Sequence, residues 1–185
     1  MAGTSGLVDA VEFAENPEQR CPCVLLLDTS GSMKGEPIAA LNAGLRTFKD
    51  ELMKDTLASR RVEVAVVTFD SEVAVVQDFV TADQFEPPTL TADGLTCMGG
   101  GIQQALKLVR ERKKQYRDNG VAYYRPWVFM ITDGEPQGEP ESVVLQAVRQ
   151  VKEVEDNQGA AFFAVGVEGS DVERLAEIAV RAPLK

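Results

Sequence analysis

The sequence contains no histidine among its 185 residues. That absence excludes Ser-His-Asp and Cys-His nucleophilic chemistry and removes the imidazole general base. Any catalysis would have to rest on carboxylates, lysine, tyrosine, cysteine or metal-bound water. Cysteine is scarce, with three residues. Cys21 and Cys23 stand too close for an ordinary structural disulfide, and Cys97 stands alone, which fits a reducing, cytoplasmic compartment. Without histidine these cysteines cannot comfortably complete the roughly four N or S ligands of a zinc site. No stretch approaches the ~20 apolar residues of a membrane span. Met1 to Asp9 lacks the basic-then-apolar order of a signal peptide. Basic residues are outnumbered, 19 against 29 acids, for a net charge of −10. That balance argues against nucleic acid and against anionic lipid as partners, since both need a basic face. Aromatics make up only 6% of a chain that is 44% hydrophobic, so the core should be mostly aliphatic.

What is present alternates between strand and helix patterns. Cys23 to Asp28 is a short apolar run of the kind buried on both faces of a sheet. Pro37 sits where a first helical residue would, and Ile38, Leu41, Leu45, Phe48 and Leu52 follow at helical spacing. Val62 to Phe69 reads as a second strand. Asp70-Ser71-Glu72 is a turn, and Val73 to Phe79 returns as an antiparallel third strand. Thr81 to Leu95 reads as a loop. Gly99-Gly100-Gly101 precedes a helix marked by Ile102, Ala105, Leu106, Val109, Lys113 and Tyr116. Trp127 to Thr132 is a fourth strand, with Trp127 expected in core or edge packing. Val144, Ala147, Val148, Val151 and Val154 mark a third helix, and Ala160 to Val167 a fifth strand. Ser170 with Glu173 suggests a capping box, before a last helix through Val172, Leu175 and Ile178.

This order predicts one α/β domain over residues 21–185. Its sheet should be Rossmann-like and doubly wound, mostly parallel with one antiparallel edge strand, with helices on both faces. Residues 1–20 are polar and read as a mobile arm or an extra edge strand.

The chemistry concentrates at two strand tips. The first strand ends in Asp28-Thr29-Ser30-Gly31-Ser32 and the fourth in Thr132-Asp133-Gly134. Between them in sequence lies Leu95-Thr96-Cys97. In open α/β sheets, sites form beyond the carboxyl ends of strands at a topological switch point. If the first and fourth strands are neighbours, three loops bring Asp28, Ser30, Ser32, Thr96 and Asp133 together. Hard oxygen donors of this kind suit a hard cation such as magnesium. Each piece alone also reads as an ordinary Asp/Ser turn. The glycine run lacks the rest of any phosphate-loop motif and reads as close packing. Cys97 is a poor magnesium ligand and fits a small apolar role. Asp70 reads as a turn former or as part of the rim of the site.

Asp-x-Ser-x-Ser, then a threonine, then an aspartate after the fourth strand, resembles the metal-ion-dependent adhesion site of von Willebrand factor type A domains. The resemblance runs from about Cys21 to Leu184. More narrowly, Gly35-Glu36-Pro37-Ile38, Thr68-Phe69-Asp70-Ser71, Pro87-Pro88-Thr89-Leu90 and Ile131-Thr132-Asp133-Gly134-Glu135-Pro136 look like the bacterial TerY-type branch, associated with tellurium resistance and stress. The resemblance implies that Ser30 and Ser32 bind Mg2+ (or Mn2+) through their hydroxyls. Thr96 and Asp133 would trade direct for water-mediated binding, and Asp28 would hold metal-bound waters and the serines. It implies a non-enzymatic module that captures an Asp or Glu carboxylate of a protein partner, with kinase-like or phosphatase-like proteins among the expected partners. The competing reading is a magnesium phosphohydrolase of the haloacid-dehalogenase type with Asp28 as nucleophile. Those enzymes resemble Asp-x-Asp-x-Thr, and Ser30 stands where their second acid protonates the leaving group.

Overall fold

Strand β1 (Cys21–Asp28) is buried along nearly its whole length because both of its edges and both of its faces are covered. It pairs in parallel with β2 (Val62–Phe69) on one side and with β4 (Trp127–Thr132) on the other. β3 (Val73–Thr81) adds antiparallel to β2, and β5 (Ala161–Gly166) adds parallel to β4. The resulting order is β3-β2-β1-β4-β5. The expected mixed sheet with one antiparallel edge is therefore the sheet observed. The computed structural model describes residues 13, 15–167, 170 and 172–184. The arm expected over 1–20 thus lies largely outside the described residues, as does most of the segment around the Ser170 capping box.

Alternation along β1 sorts the core into two faces. Val24 and Leu26 face α3 (Met98–Asp118) and α4 (Glu141–Asp156), whose Ile102, Leu106, Val109, Ala147 and Val151 cover them. Cys23, Leu25 and Leu27 face α1 (Glu36–Lys54) through Leu41 and Leu45. Helices therefore lie on both faces. The short final helix α5 (Val172–Ile178) packs Leu175 and Ile178 into the first cluster. No helix among the described residues is long and apolar enough to cross a membrane.

Three local differences have physical causes. The sequence pattern gave no sign of α2 (Thr56–Arg61), which Asp55 starts by accepting the Leu57 and Ala58 amides at 2.8 and 3.0 Å. The glycines 99–101 are the first turn of α3 rather than its approach. Trp127 is 45% exposed, with its ring edge-on to Phe129 and Phe163. It lies on a stretch of sheet that α1 leaves open.

At the amino ends of the strands sits a buried ionic hub. Glu63 faces Arg20 at 3.0 Å and Arg112 at 2.8 Å, and accepts the Tyr116 hydroxyl. Phe13 is buried against the Arg112 guanidinium and the Tyr116 ring. This hub anchors the chain ahead of β1 at the pole opposite the site described next.

Candidate metal centre

From β1 the chain leads to β2 on one side and, later, to β4 on the other, so the switch point lies between the carboxyl ends of β1 and β4. Asp28 is the last residue of β1 and is fully buried there. Its Oδ1 accepts the Ser30 amide at 2.8 Å, and its Oδ2 accepts the Thr132 hydroxyl at 2.5 Å across the strand pair. Thr132 Oγ1 also accepts the Gly134 amide at 3.2 Å, which folds the Asp133 turn back over the strand end. Gly31 allows the first loop to run against the next: its amide donates to the Gly94 carbonyl at 3.0 Å, and a Cβ there would stand 3.1 Å from that oxygen. The tight turn over Gly31–Met33 then aims Ser32 outward.

A hydrogen-bonded path runs from the Asp28 carboxylate to the Ser30 backbone amide and then outward from side chain to side chain. Ser30 Oγ and Ser32 Oγ are 3.1 Å apart, and Ser32 Oγ donates to Asp133 Oδ1 at 2.8 Å. The path rises from the buried Asp28 and Ser30 to the exposed Ser32 and the half-buried Asp133. Two ligands on neighbouring vertices of a magnesium octahedron stand ~2.9 Å apart, given Mg–O bonds of about 2.0–2.1 Å. The spacing that lets these oxygens hydrogen-bond is thus also the edge of a small cation's coordination shell. The donors are hard oxygens of Ser, Thr and Asp. Among the described residues no cluster of three Asp, Glu, Cys or His side chains offers a competing kind of metal site.

Burial is the main influence on the Asp28 carboxyl and raises its pKa. Hydrogen bonds from Ser30 and Thr132 oppose that rise, and the nearby Asp133 adds to it.

Thr96 arrives on the third loop. It is buried, and its backbone makes a reciprocal pair with Gln137: the Thr96 amide donates to the Gln137 carbonyl at 3.1 Å, and the Gln137 amide returns at 2.9 Å. Among the described residues no hydrogen bond joins its hydroxyl to the serines or Asp133. The structure therefore links Ser30, Ser32 and Asp133 side chain to side chain, ties Asp28 to them through the Ser30 backbone amide, and brings Thr96 to them through the backbone of the Asp133 loop. Asp70 stands behind the site, where its Oδ2 accepts the Thr29 hydroxyl at 2.9 Å and its carbonyl accepts the Cys97 amide at 2.8 Å. Burial first, then the charges of Glu139 and Asp70, push the Cys97 thiol pKa up and keep the thiol neutral.

Thr132 and Glu139 were not singled out from the sequence. A hydroxyl as the last residue of an apolar strand, level with an acid on the neighbouring strand, was the available signal for Thr132. Glu139 makes its contacts across loops, and no local pattern marks it.

Comparison with protein families matches residues 23–183 to the von Willebrand factor type A domain. The chain belongs to that family. Solved structures of similar fold are found at low identity. A mutant of the PilB minor pilin from Streptococcus sanguinis aligns with TM-score 0.61 at 13% identity, over 86% of this chain and 52% of that one. The pilus adhesin SpaC from Lactobacillus rhamnosus GG aligns with TM-score 0.62 at 16% identity, over 80% and 24%. The proximal thread matrix protein 1 from the mussel byssus, with a zinc-occupied metal-ion-dependent adhesion site, aligns with TM-score 0.55 at 18% identity, over 89% and 40%. At these identities the likeness is one of fold, and this chain spans about half or less of each structure's own length. Comparison with functionally characterised sequences gives no significant match. Type A domains commonly serve protein interaction through such a metal site.

Proposed function

We propose that this type A domain is a non-enzymatic protein-interaction module whose binding depends on a divalent cation, Mg2+ or Mn2+. Ser30 and Ser32 would hold the ion directly, Thr96 and Asp133 directly or through water, and Asp28 would orient the serines and the ion's waters. The observation that carries this reading is the run of contacting oxygens from Ser30 through Ser32 to Asp133, with the Asp28 carboxylate bound to the Ser30 amide beneath it. When bound, the cation supplies under-neutralised positive charge with an exchangeable coordination position, because most of its direct protein ligands are neutral hydroxyls. A partner's Asp or Glu carboxylate complements that position. The Ser30 amide and Thr132 hydroxyl each bind one Asp28 oxygen and fix the carboxylate's orientation, which supports the orienting role. The exposed hydroxyl of Ser32 leaves the partner side open.

The TerY-like motif segments support a narrower version of the same proposal: a cytoplasmic module of a tellurium-resistance or stress system, with kinase-like or phosphatase-like partners. Zinc at the equivalent kind of site in the mussel protein supports a divalent ion in general, while an all-oxygen donor set favours magnesium or manganese. Calorimetric titration of Mg2+ and Mn2+ into wild type, Asp28→Ala and Ser30→Ala tests the proposal. Uptake by wild type alone is expected. Equal uptake by all three would overturn the ligand assignment, and Mg2+-dependent phosphatase turnover lost in Asp28→Ala would replace it with the phosphohydrolase.

A further inference from the structure

The loop that carries Asp133 also carries Glu139. Glu139 Oε1 accepts the Gly99 amide at 2.5 Å, and its Oε2 accepts the Gly100 amide at 3.1 Å. Both amides belong to the first turn of α3, where N–H groups have no partner within the helix. The carboxylate thus satisfies two orphan donors and meets the positive end of a 21-residue helix. Cys97, at the capping position, makes no side-chain bond to the helix amides, so the cap comes from another loop.

This contact does not stand alone. The reciprocal Thr96–Gln137 backbone pair lies next to it. Between Gln137 and Glu139, Gly138 takes φ +83°, a conformation that glycine adopts readily, and a Cβ there would meet the Leu95 side chain at 2.6 Å. Gly99 leaves room for the carboxylate: a Cβ there would stand 3.1 Å from Glu139 Oε1 and 3.0 Å from the Val144 backbone. Residues 96–100 and 137–139 are therefore joined by two adjacent pairs of hydrogen bonds.

We propose that Glu139 is a positioning residue for the cation: by latching the first turn of α3 to the Asp133 loop, it fixes Thr96 against Asp133 and so sets metal affinity. The inference rests on the metal reading above. Thr96 has no side-chain bond to the other four oxygen ligands among the described residues, so its placement depends on what holds its backbone. The Gln137 pair and the Cys97 amide on the Asp70 carbonyl hold the approach to the helix, and the Glu139 carboxylate adds the tie between its first turn and the Asp133 loop. Glutamine cannot replace it fully. An amide has one acceptor oxygen, and its NH2 would face a second N–H donor.

The test is calorimetric titration of Mg2+ into wild type, Glu139→Gln, Glu139→Ala and the control Glu141→Gln. Each is titrated at a temperature where melting curves show it folded. Amide hydrogen exchange of Gly99 and Gly100 is measured in the metal-free proteins. Both Glu139 variants should bind Mg2+ ~10-fold more weakly, the low end of the loss seen when support behind a metal site is removed. Their Gly99 and Gly100 amides should exchange faster before metal is added. Glu141→Gln should match wild type in Mg2+ affinity, since Glu141 is an exposed acid two residues on, at the start of α4. Lowered melting temperature with unchanged Mg2+ affinity would overturn the inference and leave Glu139 a structural cap only. An equal loss in Glu141→Gln would overturn it in favour of a general charge effect. Failure of wild type to take up Mg2+ would overturn the metal reading and this inference with it.

Discussion

Thr132 shows how much of the site depends on a residue that is not a ligand in any reading. Its hydroxyl donates to Asp28 Oδ2 and accepts the Gly134 amide, so one side chain both steadies the buried acid and shapes the turn that presents Asp133. Thr132→Val keeps the shape and removes both bonds. An acceptor left unpaired in the interior costs about 1–3 kcal/mol. Urea unfolding of metal-free Thr132→Val should show a loss of that size relative to wild type. An unchanged midpoint and slope would mean that Asp28 finds another donor. The convergence of Asp28, Ser30 and Ser32 was legible in the sequence because their spacing is local: they lie within five residues at the tip of β1. Thr132 was not, because its role exists only when β1 and β4 are neighbours in register, with Leu27 beside Ile131.

At the scale of the elements, α3 places the third loop, and its glycines decide how closely it can approach. A Cβ on Gly101 would stand 3.0 Å from the Phe69 ring, which is fully buried at the end of β2. Gly101→Ala should therefore overpack the junction of α3 and β2 and cost about 1–3 kcal/mol, despite alanine's better helix propensity. Thermal melts of the variant would show a lower midpoint, and a higher one would mean that Phe69 yields. The sequence marked these glycines as a packing point but left them outside the helix. Glycine's low helix propensity masks a first turn that packing against Phe69 and capping by Glu139 hold in place. The helix Thr56–Arg61 is hidden in the sequence for a related reason: it is too short for apolar periodicity to register, and only the Asp55 cap marks it. The longer helices were legible because their apolar periods run over many residues, and the strands because each is a short apolar or β-branched run bounded by turn residues.

Over the whole molecule, stability is divided between two poles, and pH separates them. Glu155 ties the end of α4 to β5 and to the chain after α5, accepting the Phe162 amide at 2.7 Å and facing Arg125 at 2.7 Å and Arg181 at 2.8 Å. Burial pushes its pKa up, but the Arg181 hydrogen bond, the Phe162 amide and the two arginine charges outweigh that and hold it below the ordinary glutamate value. A carboxyl with a depressed folded pKa stabilises the fold above its unfolded value, ~4.3, and loses that contribution as pH falls through the folded value. Glu155→Gln should therefore be less stable than wild type at neutral pH, and the difference should shrink as pH falls below ~4.3. Urea titrations at both pH values check this; a gap that stays constant would show that the loss is one of packing rather than charge. This pole and the Glu63 hub anchor the frame away from the oxygen site. At the site, by contrast, Asp28 is buried with its pKa raised, an arrangement suited to a neighbouring positive charge. The central claim is that such a charge is held there. The most direct measurement is anomalous diffraction from crystals grown with Mn2+. The account predicts a single strong peak at coordination distance, ~2–2.3 Å, from Ser30 Oγ and Ser32 Oγ and on the open side of Asp133. No peak at that point, in crystals whose other surface sites take up Mn2+, would contradict it.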